Sequence, residues 1–255
     1  MMGKKWTIQG NCLSGGSCRV DFYSSTDFFI NIHKDGESSK ILPTFKNISV
    51  ENHTISIGEK VKVVEHLFSA FYGLNIFNIG IEIYGEELPF FDGSSMDFVK
   101  ILKDFPVKEN NEYLKINRNL FIRERNSFIL FEPNGNELFI DMELNHPYIG
   151  EQKISIFVTK ENYIKEIAPA RTFVFTDESD PRLKNLPPYG IGITATKIYS
   201  TEPLRFPDEP VRHKILDLLG DLYILRKKLT GKIIARNTSH KLNLKFVKEI
   251  LSIVG

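Results

Sequence analysis

The sequence predicts an α+β fold of two similar domains, each a β-sheet with packed helices, forming a sandwich whose helix layers face each other. Three observations lead there. Strand-like runs with period-two alternation occur in both halves of the chain. In each half they are followed by a helix with period-3.6 patterning, then a strand, a loop and a second helix. The order and spacing of these elements repeat, the sign of two structurally similar units.

The first half begins with short alternating runs. Arg19-Val20-Asp21-Phe22-Tyr23 and Phe28-Phe29-Ile30-Asn31-Ile32 read as strands. Val64, Leu67, Phe68, Phe71 and Leu74 then fall on one face of a helix, and Gly73 stands where a C-terminal glycine is expected. A strand, Ile79 to Tyr84, follows. The loop Phe91-Asp92-Gly93-Ser94-Ser95 leads to a helix over Met96 to Leu102, with Ser94 or Ser95 as its cap.

In the second half, strand-like runs fill residues 113 to 160. A long helix spans Glu209 to Leu225, with Val211, Ile215, Leu218, Leu219 and Leu222 on one face. The strand Lys232-Ile233-Ile234-Ala235 comes next. The loop Asn237-Thr238-Ser239, continuing into His240, precedes a last helix that runs through Phe246. The echo has a register: Phe98-Val99-Lys100 recurs as Phe246-Val247-Lys248. His66 precedes the first by 32 residues and His213 precedes the second by 33. The domains are expected at 1–107, with Glu65 and His66, and 108–255, with Thr172, His213, Asp217 and His240. The boundary falls in the polar, Pro-containing stretch 105–111.

Composition narrows the function class. The 255 residues are 42% hydrophobic and 25% charged, with a net charge of +1. That balance gives no reason to expect nucleic acid as a partner. No apolar run approaches the roughly 20 residues that cross a bilayer, and the first residues lack the apolar stretch of a signal peptide. A cytoplasmic location and a monomer are expected. Cys12 and Cys18 are then expected to be reduced thiols flanking a hairpin.

His213 and Asp217, four apart on a helix, lie on one face about a turn of ~5.4 Å apart. If the helix layers face each other, His66 can meet them and complete a two-His, one-carboxylate set, three protein ligands being usual at catalytic zinc. Taken alone, the His213/Asp217 pair is an ordinary surface pair. Glu65, beside His66 in sequence, points about 100° away and suits a general base better than a ligand. Asp221 continues the His213–Asp217 stripe and could orient a histidine. In Ala170-Arg171-Thr172-Phe173-Val174-Phe175, Thr172 could donate to an oxyanion, while Phe173 and Phe175 share one face. His33, His53 and His146 lack a partner at ligand spacing and are expected on loops or the surface.

Several stretches resemble one enzyme family. Val64-Glu65-His66-Leu67-Phe68-Ser69-Ala70, Asp92-Gly93-Ser94-Ser95, Asn145-His146-Pro147, Ala170-Arg171-Thr172-Phe173, Val211 through Tyr223, and Ser239-His240-Lys241-Leu242-Asn243 occur in the right order. Together they look like the UDP-3-O-acyl-N-acetylglucosamine deacetylases, zinc enzymes of lipid A biosynthesis. The resemblance implies His66, His213 and Asp217 as ligands for Zn2+, a set that also tolerates Fe2+. It implies Glu65 as general base, Thr172 and His240 at the oxyanion, and His240 with Asp221 behind it as acid toward the leaving amine. Lys214, Phe173 and Phe175 become substrate-binding positions, the lysine toward the diphosphate of a UDP-linked acylated amino sugar. Two departures stand out. The family's Gly-x-Gly-Leu-His-type stretch is here Gly10-Asn11-Cys12-Leu13-Ser14-Gly15-Gly16, without histidine, and the segment from Thr172 to Val211 is shorter than usual. The same chemistry would suit another N-acylated nucleotide amino sugar without a long acyl chain. A non-catalytic binding homologue would predict lost ligands, yet all are present.

Overall fold

The computed structural model describes residues 5–42, 44–51, 54–58, 61–106, 112–184 and 190–254. Strands β1 (Lys5–Asn11), β2 (Ser17–Ser24), β3 (Phe29–Lys34) and β4 (Glu37–Ile41) are joined by β5 (Ile79–Tyr84) in a sheet of order β1-β2-β5-β3-β4. Strands β6 (Leu120–Glu124), β7 (Ser127–Glu132), β8 (Leu138–His146) and β9 (Gly150–Phe157) are joined by β10 (Gly231–Arg236) in the order β6-β7-β10-β8-β9. The two orders are the same. In each sheet the inserted strand runs parallel to one neighbour, β3 or β8, and antiparallel to the other.

Parallel neighbours need a crossover, and each crossover carries a helix. Helix α1 (Glu65–Leu74) lies before β5 and α3 (Glu209–Leu222) before β10, while α2 (Met96–Leu102) and α4 (His240–Val254) close each unit. Period-two alternation points Val20, Phe22, Ile81, Ile129, Phe131 and Ile233 inward under these helices. The helix layers of the two sheets meet, with α1 packed along α3.

This sandwich corrects several local expectations. All ten residues of α1 are buried, because its polar face meets α3 rather than water. Gly73 is inside that helix, and a Cβ there would lie 2.2 Å from the Tyr163 ring. The left-handed C-cap is Asn75 instead, at φ 61°. Ser95 stands at the N-cap of α2 but uses its hydroxyl on the His66 carbonyl, at 2.8 Å, while the Ser94 hydroxyl, the other expected cap, accepts from the Met96 N–H at 3.2 Å. The last helix continues past Phe246 to Val254, and His240 is its first residue, not part of the loop.

Cys12 and Cys18 are joined in a disulfide rather than reduced. The β1–β2 hairpin places their Cα atoms 5.6 Å apart, within bridging range. The expectation of free thiols rested on compartment alone and took no account of the hairpin register. His33 and His146 are also not loop residues. His33, on β3, pairs with Glu82 and stacks on Tyr84, while His146 ends β8. His53, part of the 105–111 boundary and Pro187-Pro188 lie outside the described residues.

Apolar contacts hold the layers together. Tyr223, just after α3, packs on Phe68, Phe71 and Phe77 at ring distances of 5.0, 5.4 and 5.3 Å. Its hydroxyl donates to the Ile76 carbonyl at 2.9 Å, and Tyr72 returns the link by accepting from the Leu229 N–H at 3.0 Å. Each such side chain contributes about 1.5–3 kcal/mol of burial. Among the described residues, no helix is long and apolar enough to cross a membrane.

Candidate active site

The crossing of α1 and α3 brings the separate sequence signals together. Glu65 and His66 open α1; His213, Asp217 and Asp221 follow one stripe of α3; His240 opens α4. All six are buried. The stripe that could be solvated surface in isolation is therefore the floor of an interhelical site.

His66, His213 and Asp217 each offer a ligand atom, and these atoms lie within 4.8 Å of one another. The His213 Nδ1 lies 3.0 Å from the Ala170 carbonyl. A carbonyl only accepts, so Nδ1 donates there, and Nε2 is the nitrogen left to face an ion. That Nε2 faces Asp217 Oδ1 at 3.2 Å. Two donors on one tetrahedral ion at ~2.0–2.1 Å are about 3.3 Å apart, so the pair is spaced as metal ligands are. Burial, reinforced by His213, pushes His66 down to about 3, which keeps its imidazole neutral. Burial opposes ionisation of Asp217, but His213, Lys214 and His240 outweigh it and hold the carboxyl well below the usual carboxylate range. A neutral His66 and an ionised Asp217 are protonation states that metal binding needs. The donor set fits a divalent ion.

Around this trio stand the remaining ionisable groups. The Glu65 carboxylate accepts from the Ile55 N–H at 3.0 Å, and burial pushes it up to about 7 despite His240. His240 Nδ1 lies 2.9 Å from Asp221 Oδ2, and its Nε2 is 3.9 Å from Asp217 Oδ1. Burial alone would lower His240, yet Asp221 and Asp217 together hold it up to about 10. Asp221 itself is raised by burial. Asn243 donates to Asp221 Oδ2 at 2.8 Å. Its place three residues after His240, on the same helix face, is a signal that sequence spacing offers and that the reading from sequence passed over.

An aromatic wall leads outward. The Phe173 ring is 6.1 Å from His213 and 5.2 Å from Phe175, so the two phenylalanines share a face as their alternation predicts. Lys214 Nζ lies 5.2 Å over the Phe173 ring and 3.1 Å from Asp217 Oδ2. Phe175 stacks on His146, centroids 3.6 Å apart and 5° from parallel. His146 therefore belongs to the site wall, a contact made across 29 residues that spacing could not reveal. Thr172 directly precedes this strand, its N–H donating to the Gly93 carbonyl at 2.8 Å.

The sequence pattern of the UDP-3-O-acyl N-acetylglycosamine deacetylases matches residues 4–252. The chain belongs to this family. Proteins named UDP-3-O-acyl-N-acetylglucosamine deacetylase are among its relatives. That of Coxiella burnetii is 33% identical over 205 residues, 76% of this chain and 68% of the relative. That of Aquifex aeolicus is 33% identical over 215 residues, 78% and 73% of the two chains. That of Xylella fastidiosa is 37% identical over 210 residues, 76% and 68%. In this deacetylase family member a concavity of about 680 Å³ also opens on the outer face of the second sheet, away from the helix layer. Arg123, Arg125 and Arg236 line it with Phe121, Phe128 and Asn237.

Proposed function

We propose that this chain hydrolyses the acetamide of UDP-3-O-acyl-N-acetylglucosamine, releasing acetate and the free amine, as a cytoplasmic, zinc-dependent deacetylase of lipid A biosynthesis. The observation that carries the reading is the buried trio His66, His213 and Asp217 with Glu65 and His240 packed around it. These three residues would hold the ion; two imidazoles and one carboxylate favour zinc, with Fe2+ the other ion this set tolerates. Bound there, the ion would supply Lewis acidity, bringing the pKa of water to about 7 and polarising a carbonyl.

The chain's own groups complete the chemistry. Glu65, held near 7 by burial, takes a proton from the attacking water. His240, kept protonated by Asp221 and Asp217, donates to the departing nitrogen as the C–N bond breaks. The Thr172 hydroxyl donates to the oxygen on which negative charge develops. Phe173 and Phe175 offer apolar faces to the sugar or base. Lys214, over the Phe173 ring, supplies a cation for the diphosphate.

Turnover by the zinc-loaded protein, compared on acylated and non-acylated UDP-N-acetylglucosamine, tests the reading. Preference for the acylated sugar is expected. Preference for the non-acylated one would replace the substrate and keep the chemistry; no turnover of either would end the proposal.

A further inference from the structure

We propose that the buried Arg171–Glu209 pair is a positioning device that locks Ala170 and Thr172 in register with His213. The inference rests on the roles of Thr172 and His213 given above. Side chains of Arg171 and Glu209 are 2% and 0% exposed. The guanidinium grips the carboxylate with two bonds, Nε to Oε1 at 2.8 Å and Nη2 to Oε2 at 3.0 Å. The same Oε1 accepts the Arg171 main-chain N–H at 3.0 Å. One carboxylate therefore fixes both the side chain and the peptide between Ala170 and Arg171.

The geometry closes into a ring. Glu209 is one helical turn before His213 on α3, so both project from the same face. His213 Nδ1 donates back to the Ala170 carbonyl at 3.0 Å. Main chain, carboxylate, helix turn and imidazole thus form a loop with no free joint. The ring holds the His213 Nδ1–H on the Ala170 side of Arg171, and Thr172, the next residue on the other side, is tied by its own N–H to the Gly93 carbonyl. Ser200 Oγ and the Pro203 carbonyl, at 2.7 and 2.9 Å, accept two more of the guanidinium N–H groups. Stability alone does not explain such a pair, since well-packed apolar residues often replace buried ion pairs at no loss. Lysine, a point charge without the planar fork, cannot reproduce the grip.

The test uses the full chain, metal-free and zinc-loaded. In the metal-free protein, proton NMR should show the His213 Nδ1–H, held on the Ala170 carbonyl, as slow to exchange with water, and Arg171→Lys should speed that exchange. In the loaded enzyme Arg171→Lys should lower kcat roughly 10–100-fold with KM moved by less than about threefold. Placed in a Thr172→Val background, it should add little to the loss Thr172→Val already causes. Ser200→Ala, which removes one partner and leaves the fork, carries the measurement if Arg171→Lys does not fold, with kcat down roughly two- to tenfold and the exchange faster. Slow exchange retained in these variants, with thermal stability lowered and kcat unchanged, overturns the inference. So does full additivity with Thr172→Val. If Thr172→Val alone leaves kcat intact, the role of Thr172 is wrong, and the Nδ1–H exchange in the metal-free protein still decides the role of Arg171.

Discussion

Gly220 rests directly against the main-chain carbonyl of Glu65: a Cβ at position 220 would stand 2.3 Å from that oxygen. The contact is where α3 crosses the start of α1, and it sets how closely His66 approaches His213 and Asp217. Glycine within a helix costs about 1 kcal/mol relative to alanine, so a helix chosen for propensity alone would not carry it there. Gly220→Ala regains that propensity but drives a methyl into backbone, which cannot rotate away as a side chain can. Overpacking of roughly 1–3 kcal/mol outweighs the gain. The expected outcome is a lower melting temperature together with a fall in kcat/KM. An unchanged melting temperature and activity would show that the crossing has slack.

Ligand and base should separate in experiment. Asp217→Asn and His66→Ala remove a donor from the trio, and the purified variants should contain little metal. Glu65→Gln removes no donor; it should keep its metal and lose roughly 10²–10⁴-fold in turnover. Chelation of the parent protein should abolish activity, and zinc should restore it. Saturating zinc at 100 times its dissociation constant should also stabilise the fold by about 2.7 kcal/mol. Metal analysis alongside turnover checks all three. A Glu65→Gln variant with full activity removes Glu65 from the mechanism.

Much of this site was legible in the sequence, for physical reasons that can be named. Glu65 to Leu74, Ile79 to Tyr84 and Met96 to Leu102 carry strong local patterns, and the helices and strand match them. The repeat of order and spacing foretold the shared sheet topology, and with it a meeting of His66 and His213. What stayed hidden depends on distance in the chain. The stack of His146 on Phe175 joins strands of two different sheets, a contact that no local period encodes. Gly73 was misread because a glycine near a helix end usually marks a cap; here it makes room for Tyr163 from another segment. The missed Cys12–Cys18 bridge is a case of the opposite kind, since the hairpin register was predictable and only the chemistry of the pair was assumed.

Acid should weaken the first sheet through Asp21. Its fully buried carboxylate accepts from Thr7 Oγ1 at 2.7 Å and from Arg19 Nη2 at 2.6 Å, with Lys5 at 3.5 Å. Burial opposes its ionisation, but Arg19 and Thr7 prevail and the carboxyl lies below its ordinary value of 3.8. A depressed folded-state value stabilises the fold at pH above the unfolded value, and that stability is lost as pH falls through the folded one. Arg19 is partly exposed, which limits the effect to about 1 kcal/mol. Asp21→Asn should therefore lower stability at neutral pH, and the difference from the parent should shrink below about pH 4. Denaturant midpoints across pH 2–7 would reveal it; a difference that is constant with pH would mean Asp21 acts through packing, not charge.

Reduction should loosen the β1–β2 hairpin without reaching the metal trio. Cys12 and Cys18 are six positions apart, and closing so short a loop removes unfolded-state entropy worth about 2 kcal/mol in the chain-entropy treatment. The hairpin leans on the segment before α2: Gly10 sits under Phe91, where a Cβ would be 2.6 Å from the ring, and the Phe90 N–H donates to the Asn11 carbonyl at 3.0 Å. Phe90 in turn lies 5.6 Å from the His66 ring. The path from disulfide to site thus runs through one aromatic contact, while His66 itself is held by Ser95 on its carbonyl and by the surrounding helix α1. Cys12→Ser/Cys18→Ser, or a dithiol reductant, should lower the melting temperature and leave metal content and kcat within about twofold of the oxidised protein. A large loss of kcat at constant metal content would instead show that the hairpin holds Phe90 against His66, and would move the disulfide from the periphery of the fold to the support of the site.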